Sequence, residues 1–269
     1  MSTATLYGVG VGPGASDLIT LRARDILQRV PVLALPRSCD YGASKAWEIV
    51  MPLVGASAEA GGSRETQERL FLTFPMQKDP ARLRPAWDKA FAAIGERLIA
   101  GRDVAFVSEG DPSLYSTFIY LQREAGRRWP DVRVEVVPGV SSIVAVPAVT
   151  GIPLADGQER VAILSGTCGF GDLVSVLRGF DTIVLMKIGT HMPHIIAALR
   201  QEGLLDRAVY VAKATMAQQR VVRDLREVEG ERGDCFAMVV CAKKERSGVL
   251  AGDVPMQAPV GLAVAGDLS

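Results

Sequence analysis

The sequence predicts an α/β protein made of two successive α/β domains. Three observations carry that expectation. Short apolar runs alternate with amphipathic segments from Leu6 onward, the rhythm of strands joined by crossover helices. Several of those runs end in turns of glycine, proline and serine. The chain has 269 residues, 48% of them hydrophobic, which is more than one small core needs. The rhythm changes after Gly151-Ile152-Pro153, so the expected N-terminal domain covers 1–150, the C-terminal domain 151–245 and a tail 246–269.

Leu6 to Gly12 reads as the first strand. Asp17 to Arg29 reads as an amphipathic helix with Leu18, Leu21, Ile26 and Leu27 on its apolar side and Ser16 or Asp17 as its cap. Val32 to Leu35 is a second strand, ended by Pro36. The stretch from Arg37 to Pro80 is less regular and rich in Gly, Ser and charge, notably around Gly55 to Gln67. It reads as a surface excursion or as a lid or substrate wall. A long helix follows over Ala81 to Ala100, then a strand over Asp103 to Val107, a helix over Ser113 to Arg127 and a strand over Val132 to Val137. This alternation implies a parallel sheet covered by helices.

In the second domain the expected strands are Val161 to Leu164, Thr182 to Met186, Ala208 to Ala212 and Phe236 to Val240. The expected helices are Phe170 to Leu177, Met192 to Glu202 and Arg220 to Glu227. The tail from Glu245 is Gly-, Pro- and Ala-rich and reads as poorly ordered or draped over the surface.

Composition removes several function classes. Lys plus Arg and Asp plus Glu are 30 each, so no global field draws the chain to nucleic acid or to a membrane. The N-terminus lacks the basic and apolar segments of a signal peptide. The uncharged run Val136 to Ala155 approaches membrane-spanning length, but Pro138, Pro147, Pro153, Gly139 and Gly151 would break such a helix. It reads instead as a buried strand, a turn and a helix. These features describe a cytoplasmic protein. Cys39, Cys168, Cys235 and Cys241 are scattered and read as buried or incidental thiols. His191 and His194 are one helical turn apart, yet no third ligand accompanies them, so no metal site is expected. Two histidines in all also argue against a Ser-His-Asp triad.

In open α/β sheets, ligands bind at the carboxyl ends of the strands. Three strand ends here carry small, backbone-exposing residues: Gly8 to Gly14, Ser108 to Tyr115, and Pro138 to Ser142. The first fits G-x-G-x-x-A as Gly10-Val11-Gly12-Pro13-Gly14-Ala15. A dinucleotide-binding fold also wants an acidic residue at the end of its second strand, where this chain has Leu35-Pro36-Arg37-Ser38. Pro13 removes an amide donor where a pyrophosphate would need one. A nicotinamide cofactor is therefore disfavoured.

Taken together, Gly8 to Gly14, Glu109-Gly110-Asp111-Pro112, Pro138-Gly139-Val140-Ser141-Ser142 and Gly151-Ile152-Pro153 resemble, in order and spacing, the tetrapyrrole methylase family. Its members are S-adenosylmethionine (SAM)-dependent C-methyltransferases of cobalamin and sirohaem synthesis, with relatives acting on other substrates. The resemblance runs from Leu6 to Lys243 and includes Thr182 to Gly189, Ala212 to Thr215 and Gln219 to Val222. Within the family, Glu109 to Phe118, Leu185-Met186-Lys187 and Ala214-Thr215 are similar to the branch that methylates C20 of precorrin-2, metal-free or cobalt-loaded. Uroporphyrinogen methylases usually carry Gly-Gly-Asp-Pro at the first of these places and Asn-Gly-Thr at the last, and this chain departs from both.

The resemblance implies a SAM-binding cleft between the two domains, with binding mainly through backbone groups and S-adenosylhomocysteine as product. The matching positions are Glu109, Gly110, Asp111, Leu114, Ser141, Ser142, Lys187 and Ala214. Lys187 stands where several relatives have Met. Pro13 and Arg37 fall on the substrate side, and Glu109 is the candidate acceptor of the C20 proton. Plainer roles exist for some of them: Gly110 and Pro112 shaping a turn, Glu109 satisfying backbone amides, and Asp111 and Ser141 capping helices. An octacarboxylate macrocycle calls for cationic partners. Arg37, Lys45, Arg64, Arg69 and Lys78 are interleaved with Glu48, Glu59, Glu65 and Glu68 and read as solvated charges, except Arg37, which follows a strand end. A homodimer is expected, as in relatives. The competing functions are a methylase of a macromolecule, with RNA disfavoured by the charge balance, and a non-catalytic SAM or nucleotide sensor.

Overall fold

A computed structural model of the protein describes residues 4–55, 67–75, 79–234 and 236–244. These fall into two compact units that divide between Ser141 and Ser142.

The first unit contains β1 (Thr5–Gly10), α1 (Leu21–Arg29), β2 (Val32–Arg37), α2 (Lys45–Gly55), β3 (Glu68–Thr73), α3 (Pro80–Ile99), β4 (Val104–Ser108), α4 (Phe118–Arg128) and β5 (Arg133–Val137). The strands form one parallel sheet in the order β3-β2-β4-β1-β5. Successive residues of each strand face opposite sides. Tyr7, Val9, Leu33, Leu35, Ala105 and Val107 meet α1 and α2 on one face. Leu6, Val32, Ala34, Val104 and Phe106 meet α3 and α4 on the other. Burial on both faces is why these strands are continuous apolar runs rather than alternating ones. Gly8 is part of this packing, because a Cβ there would overlap the ring of Phe118.

Four expectations need correction here. The stretch after β2 is not irregular throughout, since α2 and β3 lie within it. Ser44 starts α2 by accepting a hydrogen bond from Trp47 N–H at 3.2 Å while donating to the Pro36 carbonyl at 2.8 Å. Ala46, Ile49, Val50 and Val54 then give the helix its buried side. Second, β2 continues through Pro36 to Arg37, because its pairing with β4 stops at Ala34 and only β3 accompanies it further. Third, α1 begins at Leu21 and is capped by Thr20, whose hydroxyl accepts from Ala23 N–H at 3.2 Å; Ser16 and Asp17 lie in a separate 3₁₀ turn and Leu21 is exposed. Fourth, α4 starts at Phe118, not Ser113, leaving Asp111 to Thr117 as a loop over the strand end.

The second unit contains α5 (Ser142–Thr150), β6 (Val161–Ser165), α6 (Phe170–Gly179), β7 (Thr182–Met186), α7 (Met192–Gln201), β8 (Ala208–Ala212), β9 (Arg220–Val222) and β10 (Ala237–Ala242). Its sheet has the order β6-β7-β10-β8-β9, with β10 antiparallel to both neighbours, so β7 and β8 run the same way. Leu173, Leu177, Ile195 and Leu199 of α6 and α7 pack on Ile183, Leu185, Tyr210 and Val239 of the sheet. The helix expected over Arg220 to Glu227 is instead β9 and a 3₁₀ turn, Leu225–Val228. The β-branched Val221 and Val222 pair with β8, and Asp224 accepts from Arg226 N–H at 3.0 Å to open the turn. The tail from Glu245, with Cys235, Arg64 and Lys78, lies outside the described residues. Among the described residues no helix is long and apolar enough to cross a membrane.

Candidate active site

The three glycine-containing turns of the first unit meet as one backbone-packed edge. Val11 N–H donates to the Ser108 carbonyl at 2.9 Å, carrying β1 past its last ladder residue. Gly12 and Gly110 then pair reciprocally, with N···O distances of 3.3 and 2.8 Å. Gly10 lies against Gly139, where a Cβ on Gly10 would come within 2.6 Å of the Gly139 nitrogen. A Cβ on Gly139 would overlap the Gly110 carbonyl oxygen. Only glycine permits backbones this close. Gly110 has φ +65° and open space where its Cβ would point, so its backbone is uncovered on that side.

Asp111 ties the edge together. One carboxylate oxygen accepts from Ser113 N–H at 2.8 Å and the other from Gly139 N–H at 3.0 Å. The loop that follows is fixed by Ser116, whose hydroxyl is 2.6 Å from that of Ser108 and accepts from Phe118 N–H at 3.1 Å. Leu114 is partly buried in this loop, and Tyr115, with φ 51°, is exposed. Pro13 and Ser141 sit in the adjoining turns and are both partly buried.

Glu109 is the first residue after β4, and its carboxylate accepts from the Ala46 N–H at the start of α2. Burial pushes its pKa up to about 7; the Lys45 charge and the Ala46 amide pull the other way, and Glu48 adds to the rise. By contrast, hydrogen bonds from Arg128, Arg178 and Arg220 hold Glu124, Glu202 and Glu231 below the usual range. Arg37 ends β2, donates to Thr73 Oγ1 at 3.3 Å, lies 3.7 Å from Asp40 and stands 5.8 Å from the centre of the Phe71 ring. Of the other cations, Lys45 pairs with Glu48 at 2.6 Å and Arg69 stacks over Trp47 at 4.4 Å.

In the second unit, Lys187 follows β7 and Ala214 follows β8, at the same edge of the sheet. Lys187 is exposed with φ 54°; Ala214 is buried between Lys213 and Thr215, at φ 50° and 68°. Lys213 N–H donates to the Phe236 carbonyl at 2.9 Å, its ammonium lies 3.4 Å from Asp234, and Thr215 N–H donates to Gln219 Oε1 at 2.7 Å. Ser142 opens α5. The candidate residues thus form two sets, one at the strand ends of each unit. Tyr115, Lys187, Lys213 and Thr215 are the non-glycine residues in left-handed backbone among those described, and all four follow strand carboxyl ends. Such strained positions cluster at functional sites, and no sequence signal marks them.

Of the described thiols, Cys39 is exposed, Cys168 partly buried and Cys241 buried. Burial drives the Cys241 thiol up to about 12, leaving it inert, and also raises that of Cys168. His194 Nε2 lies 3.1 Å from the Cys168 carbonyl, with its ring edge-on to Phe170. Among the described residues no cluster of three or more His, Cys, Asp or Glu is placed to hold a metal.

Residues 5–229 match the family model for tetrapyrrole (corrin/porphyrin) methylases. The chain is 35% identical over 241 residues to cobalt-precorrin-2 C(20)-methyltransferase of Salmonella typhimurium, covering 89% of this chain and 96% of that one. It is 30% identical over 243 residues to precorrin-2 C(20)-methyltransferase of a Sinorhizobium species, covering 87% and 94%. Its fold matches that of uroporphyrin-III C-methyltransferase from Thermus thermophilus complexed with S-adenyl homocysteine, with a TM-score of 0.63 at 23% identity, covering 89% and 98%. The chain belongs to the tetrapyrrole methylase family.

Proposed function

We propose that this protein transfers a methyl group from SAM to C20 of a precorrin-2-type tetrapyrrole in cobalamin synthesis. The observation that carries this reading is its similarity to two C20-methyltransferases along nearly the whole length of each. When bound, SAM supplies an electrophilic methyl group. The chain's own task is to bind, align and exclude competing geometries, which converts a two-molecule encounter into an oriented one.

The first unit's residues suit such a ligand. The uncovered backbone of Gly110 offers close approach to a ligand. We assign SAM contacts to the Glu109 main chain, Gly110, Asp111, Leu114 and Ser141 there, and to Ser142, Lys187 and Ala214 in the second unit. Asp111 acts mainly by holding the turn, since both its oxygens already accept backbone amides. Pro13 and Arg37 are assigned to the substrate, with the Arg37 guanidinium receiving a carboxylate arm. The protein works as a cytoplasmic homodimer, which analytical ultracentrifugation of the purified chain would test.

The deciding experiment incubates purified protein with methyl-¹³C SAM and either metal-free or cobalt-loaded precorrin-2, followed by carbon NMR of the product. Label at the bridge between the first and last rings supports the reading, and the better substrate assigns the metal state. Label at any ring carbon overturns the C20 assignment.

A further inference from the structure

Methylation at C20 creates a proton that must leave. As the C20–methyl bond forms from the electron pair of the bridge carbon, the sulfur–methyl bond breaks and positive charge passes to the adjoining ring nitrogen. Breaking the C20–H bond returns an electron pair to the ring and neutralises that nitrogen. One proton is released per turnover, and a side chain placed at the site can take it.

We infer that the Glu109 carboxylate is that acceptor, held at the strand-end edge by the first turn of α2. The inference rests on the C20 reading above. Glu109 is the residue immediately after β4, where the backbone-packed turns leave the Gly110 side open. Its carboxylate meets the Ala46 amide, with Lys45 and Glu48 of α2 as its charged neighbours. Lys45 pairs with Glu48 at 2.6 Å, and the two charges act on Glu109 in opposite directions. The other acids at this edge are committed: Asp111 accepts two backbone amides, and Asp40 hydrogen-bonds Thr73 and faces Arg37. The turn after β1, Gly10 to Gly14, has no titratable side chain. A carboxyl pushed up to about 7 accepts a proton near neutral pH and gives it back to solvent, which a carboxylate pinned by arginine does poorly. The helix turn holds the group in place, and Lys45 keeps it from rising further.

The test uses Glu109→Gln, which keeps the shape and can still accept from Ala46, beside Glu109→Asp and Lys45→Ala. Glutamine should lower kcat by about a hundredfold. SAM affinity should stay within about twofold of wild type, since the cofactor contact assigned to Glu109 is through its main chain. The acidic limb of the wild-type kcat/KM profile, with its midpoint near 7, should vanish in Glu109→Gln and move upward in Lys45→Ala. Glu109→Asp should restore part of the rate. Substrate deuterated at C20 should show a larger isotope effect in the glutamine variant, where proton loss becomes limiting. Independently of turnover, the ¹³C-labelled Glu109 carboxyl of the ligand-free protein should titrate near pH 7. If wild type methylates C20 and Glu109→Gln keeps its rate and acidic limb, Glu109 is not the acceptor while the C20 reading stands. If wild type labels another carbon, both fall together.

Discussion

The carboxylate of Asp111 accepts the backbone N–H of Gly139 at 3.0 Å, joining the turn after β4 to the turn after β5. Its other oxygen accepts Ser113 N–H at 2.8 Å, so one side chain fixes both the loop it begins and the turn across from it. Asp111→Ala should cost about 1.5–3 kcal/mol of stability, the range for a charge-assisted hydrogen bond. It should also weaken SAM binding at least about tenfold, roughly 1.4 kcal/mol. Asp111→Asn, which keeps one acceptor, should fall between. Thermal unfolding and calorimetry check both, and a fully stable Asp111→Ala protein with unchanged affinity would remove Asp111 from the site.

The two glycines flanking this bond should respond differently to alanine. Gly139→Ala places a Cβ on the Gly110 carbonyl, which cannot move without breaking the Gly12–Gly110 pair. Unfolding or a loss above about 3 kcal/mol is expected, at the upper end for overpacking. Gly110→Ala meets no atom within 4 Å but must adopt φ +65°. That conformation costs about 1–2 kcal/mol for a residue with a Cβ. Denaturant midpoints of the two variants, measured side by side, test the ordering.

Gly8 and Phe118 should be coupled. Gly8→Ala forces the Phe118 ring out of its seat against β1 and should cost about 1–3 kcal/mol. In Gly8→Ala combined with Phe118→Leu, the smaller side chain leaves room, so the double variant should lose less than the sum of the singles. Additive losses in a double-mutant cycle would contradict this packing.

Stability should carry the signature of Glu109. Its pKa in the folded protein is about 7 against an ordinary 4.5, so folding favours the protonated form. The stabilisation is fully present below the unfolded value and is lost as pH rises through about 7. Glu109→Gln should therefore match wild type near pH 4 and exceed it at pH 8 by about 1–3 kcal/mol. Chemical denaturation at both values tests the sign, and a gap that widens toward acid would refute it.

Cofactor choice should follow the second strand end. SAM and S-adenosylhomocysteine should bind with micromolar-range affinity while NAD and NADP do not, because β2 ends in Leu35-Pro36-Arg37 without the acid that holds a ribose diol. Calorimetry with the four ligands decides. Tight NADP binding without SAM binding would count against the assigned chemistry.

What was legible in the sequence is what local pattern specifies. Continuous apolar runs such as Val104 to Val107 and Ile183 to Met186 gave the strands, since burial on both faces favours apolar side chains throughout. The strand-end glycines marked the candidate site because several such turns recur in one order and spacing along the chain. The helix α2 was obscured by Pro52 and by the charged stretch beyond it, although Ser44 and the spacing of Ala46, Ile49, Val50 and Val54 were readable signals. Strand β9 was mistaken for helix because three residues carry too little periodicity to tell the two apart.

The sequence by itself determined the α/β class, the order of the turns and the family, all of which follow from residues near one another in the chain. Tertiary structure decided that Gly10, Gly110 and Gly139 are one packed edge, that Asp111 reaches Gly139, and that Glu109 lies at the first turn of α2. Those relationships join residues 28 to more than a hundred positions apart. They arise because β1, β4 and β5 are neighbours in the sheet although far apart in the chain, and strand order is set by packing on both faces rather than by any local signal.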